Sequence, residues 1–400
     1  MKKILFVINS LTIGGSEKSL VSLLNLIDYS KYDVDLMMFK SGKEFDKYIP
    51  DQVKVLEEPK YYKYISGNKK IDISIRERIK YSICRYKTSI ALRVNSKRRQ
   101  SINSEQVLYK NHKNVMECIN ENYDIAIAYS QGMPTYFIID NVKAKKKIAW
   151  INCDYATTIY DKEFDYNYYK EIDKIIVVSQ TIKESIINLR PDYKNKLEVI
   201  LDIVDPYLIN KMSIEENEIK KSNDFINILT VGRLVIHHKG YDLAIEAAKK
   251  LKDRGYNFKW YVIGEGPDRK EIENMISRNG LNNSFILLGK RDNPYPYMRS
   301  CDIYVQPSRK EGFGLTAIEA KILKKAMVCT NFNTAKELIN DKVDGLIVNI
   351  NSNDLCEGIV KYIEDNEFKN NICKNLNNTE SYSSIKEMDK IYNLFKFNNL

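Results

Sequence analysis

Histidine is scarce in this sequence: three in 400 residues, His112, His237 and His238. With no HExxH pattern and no cysteine cluster, that scarcity leaves no ready transition-metal site and argues against hydrolytic zinc chemistry. Seven cysteines, at 84, 118, 153, 301, 329, 356 and 373, form no CxxC pair. Their odd number in a long chain points to reduced thiols and a cytoplasmic setting. No stretch reaches the ~18 apolar residues that a spanning helix needs. The apolar run Ile4-Leu5-Phe6-Val7-Ile8 stops at Asn9, short of the hydrophobic region of a signal peptide, and reads as a first strand. No short repeat and no low-complexity segment is visible.

What is present is an ordinary globular composition, 44% apolar and 29% charged in 46.7 kDa, long enough for two domains of roughly 100–200 residues each. Tyrosine dominates the aromatics, 28 against 13 Phe and 2 Trp, which suits rings with one wet edge. The net charge of +10 is localised: between Lys60 and Lys113 stand 15 Lys and Arg and only three acids, Asp72, Glu77 and Glu105. Tyr61, Tyr62, Tyr64, Tyr81, Tyr86 and Tyr109 interleave with these cations, and Ile75, Ile79 and Ile83 recur at helical spacing. Such a segment suits an anionic membrane surface or a lipid-linked substrate, with each basic residue contributing ~1 kcal/mol. Arg76, Arg78, Lys80, Arg85, Arg93, Lys97, Arg98 and Arg99 are the residues expected to do this. A solvated helical face is the plain alternative. Nucleic acid is not expected, since no helix-turn-helix, RRM or zinc-finger pattern accompanies the charge.

Short Ile- and Val-rich runs alternate with helical patterns: Ile4–Ile8, Val34–Phe39, Asp124–Tyr129, Lys147–Ile151, Lys174–Val178 and Leu197–Ile200. After the polar stretch Asn210–Asp224 a second series begins: Ile226–Val231, Lys259–Ile263, Phe285–Leu288, Ile303–Gln306, Ala326–Thr330 and Gly345–Val348. Helical patterns fall at Tyr241–Asp253, Arg269–Asn279 and Ser384–Phe395. Near-continuous apolar runs joined by crossover helices are the pattern of buried parallel strands, so the chain reads as α/β in two halves. Open parallel sheets bind ligands beyond the carboxyl ends of their strands, and two such sheets facing each other would make a cleft.

The residues after those strands carry the chemistry. Gly14-Gly15-Ser16-Glu17 follows the first strand, with Ser16 as a candidate N-cap facing an anion; a plain strand-to-helix turn is the alternative. In the second half Gly232-Arg233 follows a strand and Lys239 stands six residues on, two fixed cations suited to a diphosphate. His237 and His238 between them read as solvated loop residues. Gly264-Glu265-Gly266 opens a helix, but Arg269 occupies the third position of a GxGxxG, so it reads as turn geometry bringing backbone close to a ligand. The stretch Ser308-Arg309-Lys310-Glu311-Gly312-Phe313-Gly314-Leu315-Thr316-Ala317-Ile318-Glu319 places two carboxylates either side of a Gly-flanked loop and helix start. The backbone N–H groups of Gly314, Leu315 and Thr316 would face phosphate, with Glu319 reaching ribose and Glu311 a sugar. A glycosidase pair would instead need opposed carboxyls across the scissile bond.

In order and placement, Arg233, Lys239 and the E-x7-E of Glu311 and Glu319 resemble the retaining family-4 glycosyltransferases of the GT-B fold. The resemblance runs from Val231 to about Val348, with Gly14 to Glu17 in the first half; residues 40–115 match nothing identifiable. It implies two Rossmann-like domains with parallel sheets facing across a cleft, 1–208 holding an acceptor and 209–375 a nucleotide-sugar donor, with 376–400 a terminal helix packing back on the first. Residues 60–114 would be a basic insertion. By position, Arg233 and Lys239 would stabilise the diphosphate in place of a metal, Glu311 would bind the donor sugar, Glu319 the ribose, and Gly15 the phosphates. Gly14, Gly232, Gly264, Gly266, Lys290, Gly312 and Phe313 would complete the donor site. No cofactor and no metal are implied, only a donor, most simply a UDP-sugar, and a glycan or lipid-linked acceptor at the inner membrane face, in polysaccharide or teichoic acid assembly. One departure is Asn152, where the family pattern has His; Asp154 is then the candidate to orient an acceptor hydroxyl. A sugar-nucleotide epimerase of the same architecture and a non-catalytic partner protein are the competing readings.

Overall fold

The computed structural model describes every residue except 13, 68–70, 99–100, 220–223, 379–383 and 397–400. Two compact units emerge: Met1–Ile203 together with the C-terminal stretch from Lys386, and Val204–Ile385. The division falls between Ile203 and Val204, a few residues before the expected 208/209, because the helix Pro206–Met212 packs on helices of the second unit.

The first unit holds seven strands, β1 Lys2–Ile8, β2 Tyr32–Met38, β3 Lys54–Val55, β4 Asn122–Ala128, β5 Lys143–Ile151, β6 Lys174–Val177 and β7 Leu197–Val199. They form one parallel sheet in the order β3-β2-β1-β4-β5-β6-β7. The second unit holds β8 Ile226–Val231, β9 Phe258–Ile263, β10 Phe285–Gly289, β11 Ile303–Gln306, β12 Ala326–Thr330 and β13 Leu346–Val348. These are also parallel, in the order β10-β9-β8-β11-β12-β13. Both sheets reverse direction beside their first strand, the doubly wound arrangement whose ligand site lies at that switch point. Ile4, Leu5, Phe6 and Val7 are fully buried in β1, as are Met327, Val328 and Cys329 in β12. Strands covered on both faces explain why their sequence shows runs rather than alternation.

Between β3 and β4 the basic segment is helical: Lys60–Ile65, Ile75–Ser96 and Ser104–His112. Ser74 starts the 22-residue helix with a capping box, its hydroxyl accepting from the Glu77 N–H at 3.2 Å while the Glu77 carboxylate accepts from the Ser74 N–H at 2.7 Å. The terminal helix Ser384–Leu394 belongs to the first unit. The Tyr392 ring stacks on Tyr32 with centroids 5.8 Å apart, and Glu387 accepts from the Leu201 N–H at 2.8 Å. All seven cysteines are free. Among the described residues no helix is long and apolar enough to cross a membrane.

Candidate active site

In the second unit the loops after β8, β9 and β11 converge. Gly240, at φ +66°, ends the short helix Ile236–Lys239, and a Cβ there would stand 1.9 Å from the Pro307 carbonyl oxygen. Only glycine allows that approach, and it brings the end of one loop onto the start of the other. Lys239 Nζ then donates to both carboxylate oxygens of Glu311, each at 2.7 Å. Glu311 Oε1 also accepts from Gln306 Nε2 at 2.5 Å and from the Ser308 hydroxyl at 2.6 Å. Asn333 clamps the Glu311 backbone, accepting from its N–H at 3.1 Å and donating to its carbonyl at 2.9 Å. Arg309 is not free for a ligand: its guanidinium forks onto Asp242 at 2.7 and 2.6 Å and fixes the loop to the helix Tyr241–Asp253.

This packing leaves specific valences open. Three donors crowd Oε1 of Glu311, whereas Lys239 alone occupies Oε2, so Oε2 retains room to accept from a hydroxyl. Arg233, exposed after β8, has neither a carboxylate within ion-pair distance nor a hydrogen-bond acceptor among the described residues. Gly314, at φ +100°, starts the helix Leu315–Ile322, whose first-turn N–H groups have no acceptor within the helix. Phe313 and Leu315 are buried, so they offer backbone rather than side chain, and Thr316 donates to Gln306 Oε1 at 2.9 Å. Glu319 is 2% exposed in the middle of that helix and accepts from the Tyr295 hydroxyl at 3.0 Å. Gly312 is half-buried and Lys290 lies exposed beyond β10.

Gly264 and Gly266 have a structural reason of their own. A Cβ on Gly264 would stand 1.9 Å from the Gly232 carbonyl oxygen, and one on Gly266 would stand 2.3 Å from that of Leu234. The backbone they bring close is that of the β8 loop, with Leu234 N–H donating to Glu265 O at 3.0 Å. They therefore shape the loop bearing Arg233. His237 and His238 are exposed, as expected, but on the short helix rather than a loop.

In the first unit, Gly14 rather than Ser16 occupies the N-cap of the helix Gly15–Leu26. Ser16 lies inside the first turn and donates to Glu17 Oε2 at 2.8 Å, while that carboxylate folds back over Gly14. Burial raises the Glu17 pKa. Asn152, at the end of β5, donates its side-chain amide to the Tyr129 carbonyl at 2.8 Å and its N–H to Gln131 Oε1 at 3.0 Å. Asp154 accepts from Thr157 at 3.1 Å and Ser185 at 3.2 Å, which holds the turn that follows.

Residues not singled out by sequence gather on this same edge. Glu105, in the first turn of the helix Ser104–His112, accepts from Asn9 Nδ2 at 3.1 Å and the Tyr160 hydroxyl at 3.2 Å, and burial raises its pKa. Gly132, at φ +84°, leaves room for its carboxylate. Asn9 Oδ1, Ser130 Oγ and Asn152 Oδ1, one after each of β1, β4 and β5, are buried with no hydrogen-bond partner among the described residues. Buried polar atoms without partners are rare and signal a site that a polar ligand or water completes. The signal available in sequence was position: Asn9 and Ser130 each follow a strand end. Arg76, Arg78, Lys80, Arg85, Arg93, Lys97 and Arg98 are all exposed; Arg99 lies outside the described residues. Among the described residues no three His, Cys, Asp or Glu side chains cluster to hold a metal.

Comparison with known proteins matches residues 212–379 to the family described as glycosyl transferases group 1. An uncharacterized glycosyltransferase of Methanocaldococcus jannaschii is 36% identical over 186 residues, 46% of this chain and 47% of the relative. An N-acetylgalactosamine-N,N'-diacetylbacillosaminyl-diphospho-undecaprenol 4-alpha-N-acetylgalactosaminyltransferase of Campylobacter jejuni is 30% identical over 187 residues, 46% of this chain and 49% of the relative. The chain thus spans about half the length of the curated relatives it matches. In fold it is similar to HepE of Anabaena, solved in complex with UDP and glucose, at a TM-score of 0.68 and 18% identity over 98% of this chain and 99% of that one. Residues 212–379, most of the second unit, are thus similar to the glycosyl transferases group 1 family.

Proposed function

We propose that the protein is a retaining glycosyltransferase that moves a sugar from a nucleotide-diphosphate sugar, most simply a UDP-sugar, to a hydroxyl of a lipid-linked glycan. The observation that carries this reading is the Lys239–Glu311 contact at the carboxyl edge of the second sheet, beside an unpaired Arg233 and the helix start at Leu315. Charge grows on the diphosphate as the sugar leaves. Arg233 and the third proton of the Lys239 ammonium are donors for it, Lys239 being held in place by Glu311, and held donors aimed at developing charge are a strong electrostatic aid to such a step. No metal is then required for the charge. Glu311 Oε2 takes a donor-sugar hydroxyl, and Glu319 anchors the ribose. The ribose role requires Glu319 to turn from Tyr295, since it is buried in this structure.

The first unit holds the acceptor, where Asn9, Ser130 and Asn152 offer unpartnered polar atoms to hydroxyls. Support for a UDP donor comes from the ligands of HepE, and for a lipid-linked acceptor from the diphospho-undecaprenol in the Campylobacter relative's name. The basic segment supports a peripheral position at the inner, anionic face of the cell membrane in cell-surface polysaccharide synthesis. Calorimetric titration with UDP, GDP and ADP and their sugar conjugates, beside Arg233→Ala and Lys239→Ala, tests the donor site. One nucleotide should bind, and both variants should lose it; binding unaffected by either variant would remove the diphosphate role. Product analysis then separates transfer, which releases the nucleotide, from epimerisation, which alters the sugar while it stays attached.

A further inference from the structure

The helix Ile75–Ser96 is amphipathic in an inverted sense. Its buried residues are Tyr81, Cys84, Thr88 and Asn95, of which Tyr81 and Cys84 join the small cluster with Tyr61 and Val115. Its apolar residues face solvent instead: Ile75 at 79% exposure, Ile79, Ile83, Tyr86 at 70%, Ile90 at 43% and Val94. At 100° per residue these six fall within a stripe about 100° wide, centred about 160° from the buried face. The spacing repeats at eleven residues, 75 to 86, 79 to 90 and 83 to 94, so the stripe drifts only about 20° round the helix at each repeat. Arg76, Lys80 and Lys87 border one side, Arg93 stands at the other edge level with Ile75, and Arg78 and Arg85 lie farther round beyond it, all exposed and with no ion-pair partner among the described residues. The one acid of the helix, Glu77, is held by its capping box.

We infer that this helix lies in the headgroup plane of an anionic bilayer with the Ile75–Val94 stripe inserted among the acyl chains. The inference rests on the peripheral-membrane reading and adds to it an apolar, salt-resistant component and the side chains that supply it. The arrangement is that of an interfacial helix, with cations at headgroup level on both flanks of a narrow apolar wedge. A second copy of the chain fits poorly, because equal positive flanks would face each other across the seam. Nucleic acid fits poorly too, since a stripe with a single aromatic offers no stacking platform.

The test uses the full chain in flotation with vesicles of phosphatidylglycerol and phosphatidylcholine. Replacing Ile79, Ile83 and Ile90 together by Ser should weaken binding about a thousandfold or more, because each buried isoleucine is worth about a factor of ten or more. Part of the wild-type binding should survive about 1 M salt, where exposed charges are screened within ~3 Å, and the triple variant should lose that part. In Tyr86→Trp, the new indole emission should shift to the blue on anionic vesicles. An unchanged melting temperature shows that the triple variant still folds. Binding that salt abolishes and the isoleucines do not affect overturns insertion while leaving the peripheral reading standing. No vesicle binding by the wild type overturns both. A dimer that the triple variant dissociates assigns the stripe to a second copy and overturns the inference.

Discussion

Lys239 and Glu311 are 72 positions apart in sequence and 2.7 Å apart in space. Their residue types and order were readable from the strand-end pattern, but their contact was not, because it depends on Gly240 meeting the Pro307 carbonyl. Gly240→Ala is expected to cost roughly 2–4 kcal/mol in urea unfolding, since alanine resists the left-handed backbone and its Cβ would collide with that carbonyl. Glu311→Gln keeps the shape but removes the charge that holds Lys239. Turnover should fall about 100-fold, as when one preorganised electrostatic group is lost, and a steady-state assay with the cognate donor reads it. Glu105 was hidden for a different reason. Within a segment of fifteen cations it looked like one of three stray acids, whereas the fold carries it to the edge of the first sheet beside Asn9.

Among elements, the strands were legible wherever both faces are covered, because burial leaves an apolar run. β3 was not: Lys54 and Val55 are both exposed, and two such residues leave no pattern. The helix Ile75–Ser96 was legible as a helix from its isoleucine spacing, and those isoleucines face solvent. The packed face is Tyr81, Cys84, Thr88 and Asn95, too polar in composition for periodicity to reveal. Tyr61 joins that face to His112, whose ring it meets edge-on with centroids 4.7 Å apart, while the Tyr62 hydroxyl lies 3.0 Å from His112 Nδ1. Burial pushes the His112 pKa down to about 4 from an ordinary 6.5, so the folded state resists protonation that the unfolded chain accepts. Its stabilising effect is full above about pH 6.5 and declines as pH falls to about 4, by roughly 3 kcal/mol at most. Chemical denaturation across that range should show the slope, and His112→Asn should flatten it.

At the scale of the whole molecule, the two parallel sheets could be read from the two series of runs, whereas the order of strands within each comes only from the fold. The Asn-rich stretch near Asn370 was not read as structure, yet it lies in the helix Asn366–Asn378, which buries only Ile372 and Leu376. The terminal helix completes the first unit: Met388, Ile391, Leu394 and Phe395 are buried, and Lys2 Nζ donates to the Phe395 carbonyl at 2.8 Å. Removing residues 384–400 should therefore destabilise the first unit by roughly 5 kcal/mol or more. In a calorimetric melt the transition of the first unit should move down and that of the second should stay.

The same return of the chain imposes an order on synthesis. About 180 residues, the whole second unit, are translated between Ile203 and Lys386. At ribosomal speeds of about 5–20 residues per second, the first unit waits roughly 10–40 s for its last helix. During that interval the Tyr32 ring, which Tyr392 and Phe395 cover in the finished fold, stays open to water, so the half made first is the half finished last.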